Sequence, residues 1–270
     1  MESFSEYEIL KYFDGQITNS YDPVITEYSM DIVLNDKRLV TLLCTPKSLK
    51  ELTAGFLFSE GIIRSKQDIL NIRINEQGGK AYITIENEDY FSYSGDYLLA
   101  HKAITTACGK RRTVTYSIMD IPMKLTSIAS FDPSDILRLM NQFSKMSDLF
   151  NSTGGVHSCA LCTSEQIIYF EEDIGRHNAL DKIIGRALLE SISLADKYIL
   201  TTGRISSEII TKVMKMQIGV IASRSAPTNS AIEIARQSNI VLIGFARGRK
   251  LNIYNGVLPE NCASFNNSKK

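Results

Sequence analysis

Arginine and small hydroxylated side chains are concentrated in three short segments of the C-terminal half of this sequence. The residues are Arg204, Ser206 and Ser207 in the first segment, Arg224, Ser225 and Thr228 in the second, and Phe245, Ala246, Arg247, Gly248, Arg249 and Lys250 in the third. A guanidinium group binds phosphate oxygens in a planar, bidentate arrangement. The segments therefore favour a ligand with phosphate groups; the alternative is that these arginines cap helices or form ion pairs on a solvated edge.

Each of these segments follows a predicted strand, at residues 198–202, 220–223 and 240–244. The stretches between the strands are helical in character, so the order β-α-β-α-β predicts a parallel sheet. The carboxyl ends of parallel strands meet at one edge of the sheet, where ligands bind. Helix N-termini at that edge contribute unpaired amides and a partial positive charge. Four arginines are thus expected to converge on one anion-binding edge.

The third segment, residues 245–250, is the strongest single candidate for ligand contact. Gly248 would allow a ligand to approach the backbone closely, and Phe245 could stack on a base. The alternative is a basic β-turn that leads into a strand at residues 251–254.

A second polar segment, residues 172–178, precedes a strongly amphipathic helix. Arg176 and His177 are candidate ligand contacts there. Asp173 is either another contact or the cap of the helix. A lone histidine at a helix start is more often structural than catalytic, but with these polar neighbours both interpretations of His177 stay open.

Cys108 is the candidate nucleophile, because Lys110, Arg111 and Arg112 follow it closely. Neighbouring cations lower the pKa of a thiol and stabilise a thiolate or an anionic persulfide. Cys159 and Cys162 have C-x-x-C spacing, but no second cysteine pair completes a structural zinc site. No H-x-E precedes them as zinc-dependent deamination requires. Both are interpreted as small core residues, and no metal site is predicted.

Composition limits the remaining possibilities. The chain has 270 residues, with 30 Lys and Arg against 30 Asp and Glu. A formal net charge of zero argues against a general nucleic-acid binder. No apolar run reaches the roughly 20 residues of a membrane span. The N-terminus lacks the features of a secretory signal, and an odd number of cysteines, five, does not suggest a disulfide framework. A cytoplasmic location is therefore expected.

The pattern of elements predicts two domains and a short tail. Residues 1–118 are predicted to be β-rich and to include the Cys108 loop, with strands at 16–19, 24–34 and 39–44. Ser48 and Glu51 have the spacing of a capping box before a helix at 49–59. Residues 119–260 are predicted to form an α/β domain that binds the cofactor, and residues 261–270 a polar tail.

These motifs together resemble the FdhD family of formate dehydrogenase accessory proteins. The matching stretches, in family order, are residues 44–46, 55–63, 153–157, 172–182, 202–208, 223–228 and 244–248. The resemblance implies a C-terminal three-layer domain similar to the cytidine deaminase fold without its zinc site.

The resemblance also implies a function that the residues alone do not provide. Family members take persulfide sulfur from a cysteine desulfurase and pass it to the molybdenum bis(molybdopterin guanine dinucleotide) cofactor before its insertion into formate dehydrogenase. A homodimer is the family expectation. The family often carries two cysteines in its persulfide loop, whereas this chain has only Cys108 there. A single cysteine can carry a persulfide but cannot resolve it into a local disulfide.

Two other functions are compatible with the same residues. One is a nucleotide-binding enzyme that acts on a small molecule, with His177 or Asp173 as acid or base. The other is a scaffold without catalytic activity that docks the desulfurase and the dehydrogenase.

Overall fold

The computed structural model describes residues 1–86 and 124–257, so Cys108 and its basic neighbours lie outside the described residues. Two compact units are present among the described residues. The first contains residues 1–86, 147–157 and 172–189, and the second contains residues 124–146, 158–171 and 190–257. The domain limits near residues 118 and 260 and the polar tail stay predictions, because they fall outside the described ranges.

The first unit begins with a long β-hairpin. Strand β1 (Phe4–Phe13) pairs antiparallel with β2 (Gln16–Ile25) over their whole length. The connecting residues Asp14 and Gly15 have φ values of 45° and 82°. A two-residue loop with positive φ at both positions matches the twist of paired strands, which explains the Asp-Gly sequence. The sequence pattern predicted part of β2 and did not predict β1.

A four-stranded sheet forms the core of the first unit. Its order is β4-β3-β6-β5, with bounds Tyr28–Leu34 for β3, Lys37–Cys44 for β4, Ile69–Asn75 for β5 and Lys80–Ile85 for β6. β3 and β6 are parallel, and the other neighbours are antiparallel. Alternate residues of β3 (Met30, Ile32 and Leu34) are fully buried beside helix α1 (Leu49–Ser59).

The predicted helix at 49–59 is confirmed, but the predicted capping box is wrong. Ser48 has φ 50° and ψ 42°, and its side chain forms no capping hydrogen bond. A capping side chain reaches the N3 amide only from an extended backbone conformation, which Ser48 does not adopt.

Two glycines allow α1 to pack unusually close to helix α4 (Arg176–Leu189). A Cβ atom on Gly55 would lie 1.8 Å from the carbonyl oxygen of Asp181, and one on Gly185 would lie 1.8 Å from that of Glu51. Ser59 Oγ donates a 2.6 Å hydrogen bond to the buried Asp181 carboxylate. The two helices therefore meet backbone against backbone.

The second unit contains a six-stranded sheet of order β12-β11-β10-β9-β7-β8. The bounds are His157–Cys162 for β7, Ile167–Asp173 for β8, Tyr198–Thr201 for β9, Val220–Ser223 for β10, Val241–Arg247 for β11 and Lys250–Asn255 for β12. The predicted parallel arrangement of β9, β10 and β11 is confirmed. β7 and β12 run antiparallel to their neighbours β9 and β11.

Helices cover this sheet on both faces. Helix α2 (Pro133–Phe143) is capped by the carboxylate of Asp132, and it packs on one face of the sheet against residues that include Leu200, Ala222 and Ile243. Helices α5 (Ser207–Lys215) and α6 (Asn229–Ser238) lie in the two right-handed crossovers, which places them together on the opposite face. The predicted fold class is confirmed: the chain combines a part rich in N-terminal strands with a three-layer α/β part, and residues 147–157 and 172–189 return to the first of these units.

The C-x-x-C pair lies in the core of this sheet. Cys159 and Cys162 are both fully buried in β7, which confirms their interpretation as small core residues. Within residues 1–86 and 124–257, no three His, Cys, Asp or Glu side chains are grouped closely enough to hold a metal ion. The helices of the described part are also too short or too polar to cross a membrane.

Candidate functional site

The turns after β9 and β10 and the last residues of β11, which continues to Arg247, beyond the predicted end at 244, are joined by backbone hydrogen bonds. The Arg224 amide donates to the Thr201 carbonyl (3.1 Å), and the Phe245 amide donates to the Ser225 carbonyl (3.1 Å). The Thr228 amide donates to the Ile205 carbonyl (2.9 Å). These bonds continue the sheet beyond the strand ends, so the three arginine-bearing turns lie side by side as the parallel arrangement predicted. We call this part of the second unit, residues 203–207, 224–228 and 245–250, the strand-end edge.

Two of the predicted hydroxyl ligands cap helices at this edge. Ser206 Oγ accepts a hydrogen bond from the Ile209 amide at the start of α5, and Thr228 Oγ1 accepts one from the Ala231 amide at the start of α6. These caps satisfy one amide each and leave the others of the first turn unpaired within the helix. Both α5 and α6 therefore present their positive ends to the strand-end edge.

The side chains of this edge carry positive charge that no described carboxylate neutralises. Arg204, Arg247, Arg249 and Lys250 are exposed, and Arg224 is half-buried. Arg247 Nε donates a 2.7 Å hydrogen bond to the Arg224 carbonyl, which holds two of the turns together. None of the five cations forms an ion pair within the described residues. A locally uncompensated cluster of this kind, beside two helix N-termini, is suited to bind an anion.

Phe245 has a strained backbone at the same edge. Its φ is 52°, in the left-handed region, and its side chain is 38% exposed. The pairing of β11 with β12 is irregular between Gly244 and Arg247, so Phe245 lies in a bulge. The left-handed conformation costs a bulky residue about 1–2 kcal/mol, and such strain is found preferentially where a protein contacts a ligand. The sequence singled out Phe245 for its ring and gave no sign of its backbone conformation.

Gly244 explains the local shape of the bulge. A Cβ atom on this glycine would lie 2.9 Å from the Tyr254 ring and 3.0 Å from Pro227 Cδ. Because no side chain fits there, the turn of β11 can approach the turn that contains Pro227. This contact is one of packing, and it holds Phe245 next to the start of α6.

The remaining residues of the third segment have structural positions. Arg247 pairs with Lys250, so Gly248 and Arg249 form the turn of a β-hairpin, with φ 57° at Gly248. A Cβ atom on Gly248 would meet nothing within 4 Å. Gly248 therefore lies in the basic turn with open space beside it, and its contact with a ligand stays a prediction. Ala246 is fully buried in the core beneath α2, so only its backbone is available at the edge.

Arg176 and His177 lie in the first unit, at the start of α4, and both are half-buried. The turn before them is held by Asp173, which is fully buried. Asp173 Oδ1 accepts hydrogen bonds from the Gly175 amide (3.0 Å) and Asn178 Nδ2 (2.8 Å). This arrangement supports the structural role of Asp173 at the helix start.

The second oxygen of Asp173 belongs to a buried ion pair. Lys182 Nζ lies 2.7 Å from Asp173 Oδ2, and both side chains are inaccessible to solvent. Thr45 donates to the same oxygen through its amide (3.0 Å) and its hydroxyl (3.1 Å). Every lone-pair direction of this carboxylate is occupied by the protein, so Asp173 does not suit an acid–base role toward a substrate.

Sequence reasoning missed Lys182 and Thr45. Lys182 stands among the apolar residues Ala179, Ile183 and Ile184 of an amphipathic helix. A charged side chain on the buried face of a helix requires a partner, so this position could have been recognised from the sequence. Thr45 lies in a stretch that matches the family, residues 44–46, but the sequence gave no sign of its partner Asp173, which lies 128 residues further along the chain.

Two of the three described thiols, Cys44 and Cys162, are not suited to sulfur chemistry. Burial raises the pKa of Cys44 to about 12, with a further increase from the Asp173 carboxylate and a decrease from Lys182. Burial also raises the pKa of Cys162 to about 12. Both are thiols, not thiolates, at neutral pH and therefore poor nucleophiles. Cys108 stays the predicted sulfur carrier.

Comparisons with known proteins agree with these motifs. The FdhD/NarQ family model matches residues 25–260. The chain is 44% identical over 261 residues to a protein of Listeria monocytogenes serotype 4b named sulfur carrier protein FdhD, with 95% of this chain and 98% of the relative aligned. A protein of the same name from Bacillus subtilis is 38% identical over 249 residues, covering 92% and 94% of the two chains.

A solved structure has the same fold. It is described as a putative formate dehydrogenase accessory protein from Desulfotalea psychrophila, and it superposes with a TM-score of 0.74. The two chains are 23% identical, and the match covers 94% of this chain and 98% of the other.

Proposed function

The chain belongs to the FdhD/NarQ family, and we propose that it carries persulfide sulfur from a cysteine desulfurase to the molybdenum bis(molybdopterin guanine dinucleotide) cofactor, so that formate dehydrogenase becomes active. The cofactor is cargo, and formate dehydrogenase is the client. The names of the curated relatives support the sulfur-carrier part of this proposal. We further propose that the protein acts in the cytoplasm as a homodimer.

Cys108 would receive the sulfur. Its thiolate attacks the terminal sulfur of the donor's persulfide, a new S–S bond forms at Cys108, and the desulfurase cysteine leaves as a thiolate. Lys110, Arg111 and Arg112 are close enough in sequence to stabilise the anionic persulfide that results. The buried, protonated state of Cys44 and Cys162 supports Cys108 by leaving those two thiols without nucleophilic character.

The strand-end edge would bind the cofactor, and the strained Phe245 beside uncompensated arginines is the observation that carries this part of the proposal. Guanine offers a flat aromatic face that stacks on a phenylalanine ring. A pyrophosphate carries the negative charge that Arg204, Arg224, Arg247 and the two helix N-termini favour. One edge thus offers separate positions for the base and for the phosphates.

The alternative of a nucleotide-binding enzyme with its own acid–base chemistry has less support. It relied on His177 or Asp173, and Asp173 is enclosed by Lys182 and Thr45 within the first unit. With Asp173 unsuitable, His177 is the one candidate acid or base that remains for such an enzyme. This favours the sulfur-carrier function.

The proposal can be tested by calorimetric titration with GDP, which contains the guanine and pyrophosphate groups of the cofactor. We expect wild-type protein to bind GDP, and the Arg247→Ala/Arg249→Ala variant to bind it at least about 100-fold more weakly, because each lost charge-assisted hydrogen bond costs about 1.5–3 kcal/mol. The control is Arg138→Ala/Arg236→Ala, which removes the same charge from two exposed positions: Arg138 bonds the turn at residues 164–165 after β7, and Arg236 lies in the last turn of α6. Equal losses in both variants would contradict a site at this edge.

The sulfur-carrying step is tested in the same protein by Cys108→Ala. We expect this variant to bind GDP like the wild type, and to lose both the labelled sulfur acquired from a cysteine desulfurase and the ability to support formate dehydrogenase activity in cells. Cys262→Ala is the matched control. A Cys108→Ala variant that still acquires sulfur would contradict the role of Cys108 without affecting the conclusion about the cofactor site.

A further inference from the structure

The β1–β2 hairpin displays large apolar side chains that the first unit does not cover. In a β-hairpin, two residues that lie opposite each other have their side chains on the same face, and the faces alternate along each strand. Leu10, Tyr12, Ile17 and Tyr21 therefore share one face of the hairpin. Their exposures are 72%, 71%, 67% and 67%. Tyr12 and Ile17 are directly opposed, and Leu10 is diagonal to Ile17. We call these four residues the hairpin patch.

Among the described residues, the hairpin is attached to the rest of the first unit at its base. The bond from the Thr26 amide to the Ser3 carbonyl (2.9 Å) extends the hairpin by one pair, and Ile25 packs beside Gly155, just after helix α3 (Asp148–Thr153). Residues 10–19 are exposed on both strands. A two-stranded hairpin is marginally stable in water by itself, because each strand has one pairing partner and neither face is buried. The ten paired residues of each strand therefore indicate that another surface covers this element.

The charge of the hairpin indicates what that surface is like. Residues 1–25 contain five carboxylates (Glu2, Glu6, Glu8, Asp14 and Asp22) and one lysine, Lys11. The whole chain is neutral, so the remainder carries an excess of four positive charges. Two hairpins placed against each other would repel. A hairpin placed on the body of a second copy would be attracted, and the same contact would be repeated by symmetry.

The area of the hairpin favours such a reciprocal contact over a single one. Strands of ten residues are about 33 Å long, and a pair is about 10 Å wide, which gives a face of roughly 330 Å². One hairpin on another protein would bury about 700 Å² in total, below the roughly 1,000 Å² of a stable specific interface. Two hairpins exchanged between identical chains would bury about 1,300–1,400 Å², which is within the usual range.

We infer that the β1–β2 hairpin is an arm that lays the hairpin patch on the body of a second copy of this chain, and that two such arms, exchanged about a two-fold axis, hold a homodimer together. This inference gives a surface to the homodimer proposed above, and it does not depend on sulfur transfer or on cofactor binding. An isologous contact of this type closes at two subunits and does not propagate.

The test is the oligomeric state of the full chain, measured by sedimentation velocity over a range of protein concentrations. The variant Leu10→Thr/Tyr12→Thr/Ile17→Thr removes the patch but keeps residues that favour strands. We expect wild-type protein to be a dimer and this variant to be a monomer at the same concentration. The matched control, Tyr7→Thr/Phe13→Thr/Gln16→Thr, changes three residues of the other face without altering charge and is expected to stay dimeric.

A second variant tests the charge argument. Glu6→Lys/Glu8→Lys on the patch face reverses the charge that attracts the arm to the body, and we expect it to raise the dissociation constant of the dimer at least tenfold at low salt. A monomeric wild type, a patch variant that remains dimeric, or equal dissociation of the patch variant and its control would overturn the inference. GDP titration of each variant is expected to match the wild type, which separates a failure of the arm from a failure of the cofactor site.

Discussion

At the scale of single residues, Phe245 links backbone strain to a candidate binding role. A left-handed phenylalanine next to the buried Gly244 is held in place by tertiary packing, because its own preference is for an extended or helical conformation. The neighbouring cations Arg224 and Arg247 are positioned by a hydrogen bond from one side chain to the backbone of the other. The base and the phosphates of a nucleotide would thus be recognised by different residues.

This division of roles leads to a prediction for Phe245→Leu. Leucine keeps the apolar volume but has no aromatic face, and stacking of a base on an aromatic side chain is worth about 1–3 kcal/mol. We expect the affinity for GDP to fall about tenfold or more, and the affinity for inorganic pyrophosphate to stay unchanged, in parallel calorimetric titrations. Equal losses for the two ligands would show that Phe245 supports the fold of the edge and does not contact the base.

Asp173 and Lys182 show how a motif that suggests chemistry can serve structure instead. Asp173 lies in a dense polar segment, yet it is fully buried and bound by Lys182 and Thr45. Removing one member of such a pair leaves an unpaired buried charge, which costs about 3–5 kcal/mol. The pair holds the turn that precedes Arg176 and His177 in a defined conformation.

At the scale of elements, the contact between α1 and α4 depends on Gly55 and Gly185. Glycine in a helix normally reduces stability by about 1 kcal/mol relative to alanine. Here each glycine faces a carbonyl oxygen of the other helix at a distance that leaves no room for a Cβ atom. Close packing, and not helix propensity, explains both glycines.

Substitution of either glycine by alanine distinguishes these two effects. We expect Gly55→Ala and Gly185→Ala each to lower the free energy of unfolding by about 2 kcal/mol or more, because the helices must move apart. Lys50→Ala, at an exposed position of α1, is the control and is expected to change stability by less than about 0.5 kcal/mol. Urea denaturation measures all three, and an increase in stability for either glycine variant would disprove the close contact.

At the scale of the whole molecule, the two compact units share a pattern of buried thiols. Cys44 lies in the core of the first unit and Cys162 in that of the second, and burial raises the pKa of each from 9.0 to about 12. The folded state therefore keeps these thiols protonated at a pH where the unfolded chain would ionise them. Stability from this source is complete below pH 9 and is lost as the pH rises toward 12.

This dependence predicts that the protein loses stability in mild alkali. We expect each thiol to reduce the free energy of unfolding by about 1 kcal/mol between pH 8 and pH 10. The variants Cys44→Ala and Cys162→Ala should each show a shallower pH dependence than the wild type, although both start from a lower stability at pH 8. Urea denaturation at the two pH values measures this difference, and unchanged slopes in both variants would contradict the assignment.

The sequence by itself determined the parallel strands of the second unit, their helices and the convergence of the arginine-bearing turns. These features follow from short-range patterns: apolar runs of strand length, helical periods, and the rule that parallel strands end at the same edge. The motifs spread over residues 44–248 also identified the family correctly.

Only the tertiary structure decided the features that depend on residues far apart in the chain. The pairing of Lys182 and Asp173 with Thr45, the meeting of Gly55 with Asp181, and the left-handed conformation of Phe245 all result from packing between distant segments. Strand β1 escaped prediction because most of its residues are exposed, so it lacks the alternation that marks a half-buried strand. A local sequence pattern indicates that one face of an element is buried. It does not indicate which distant residues pack against that face.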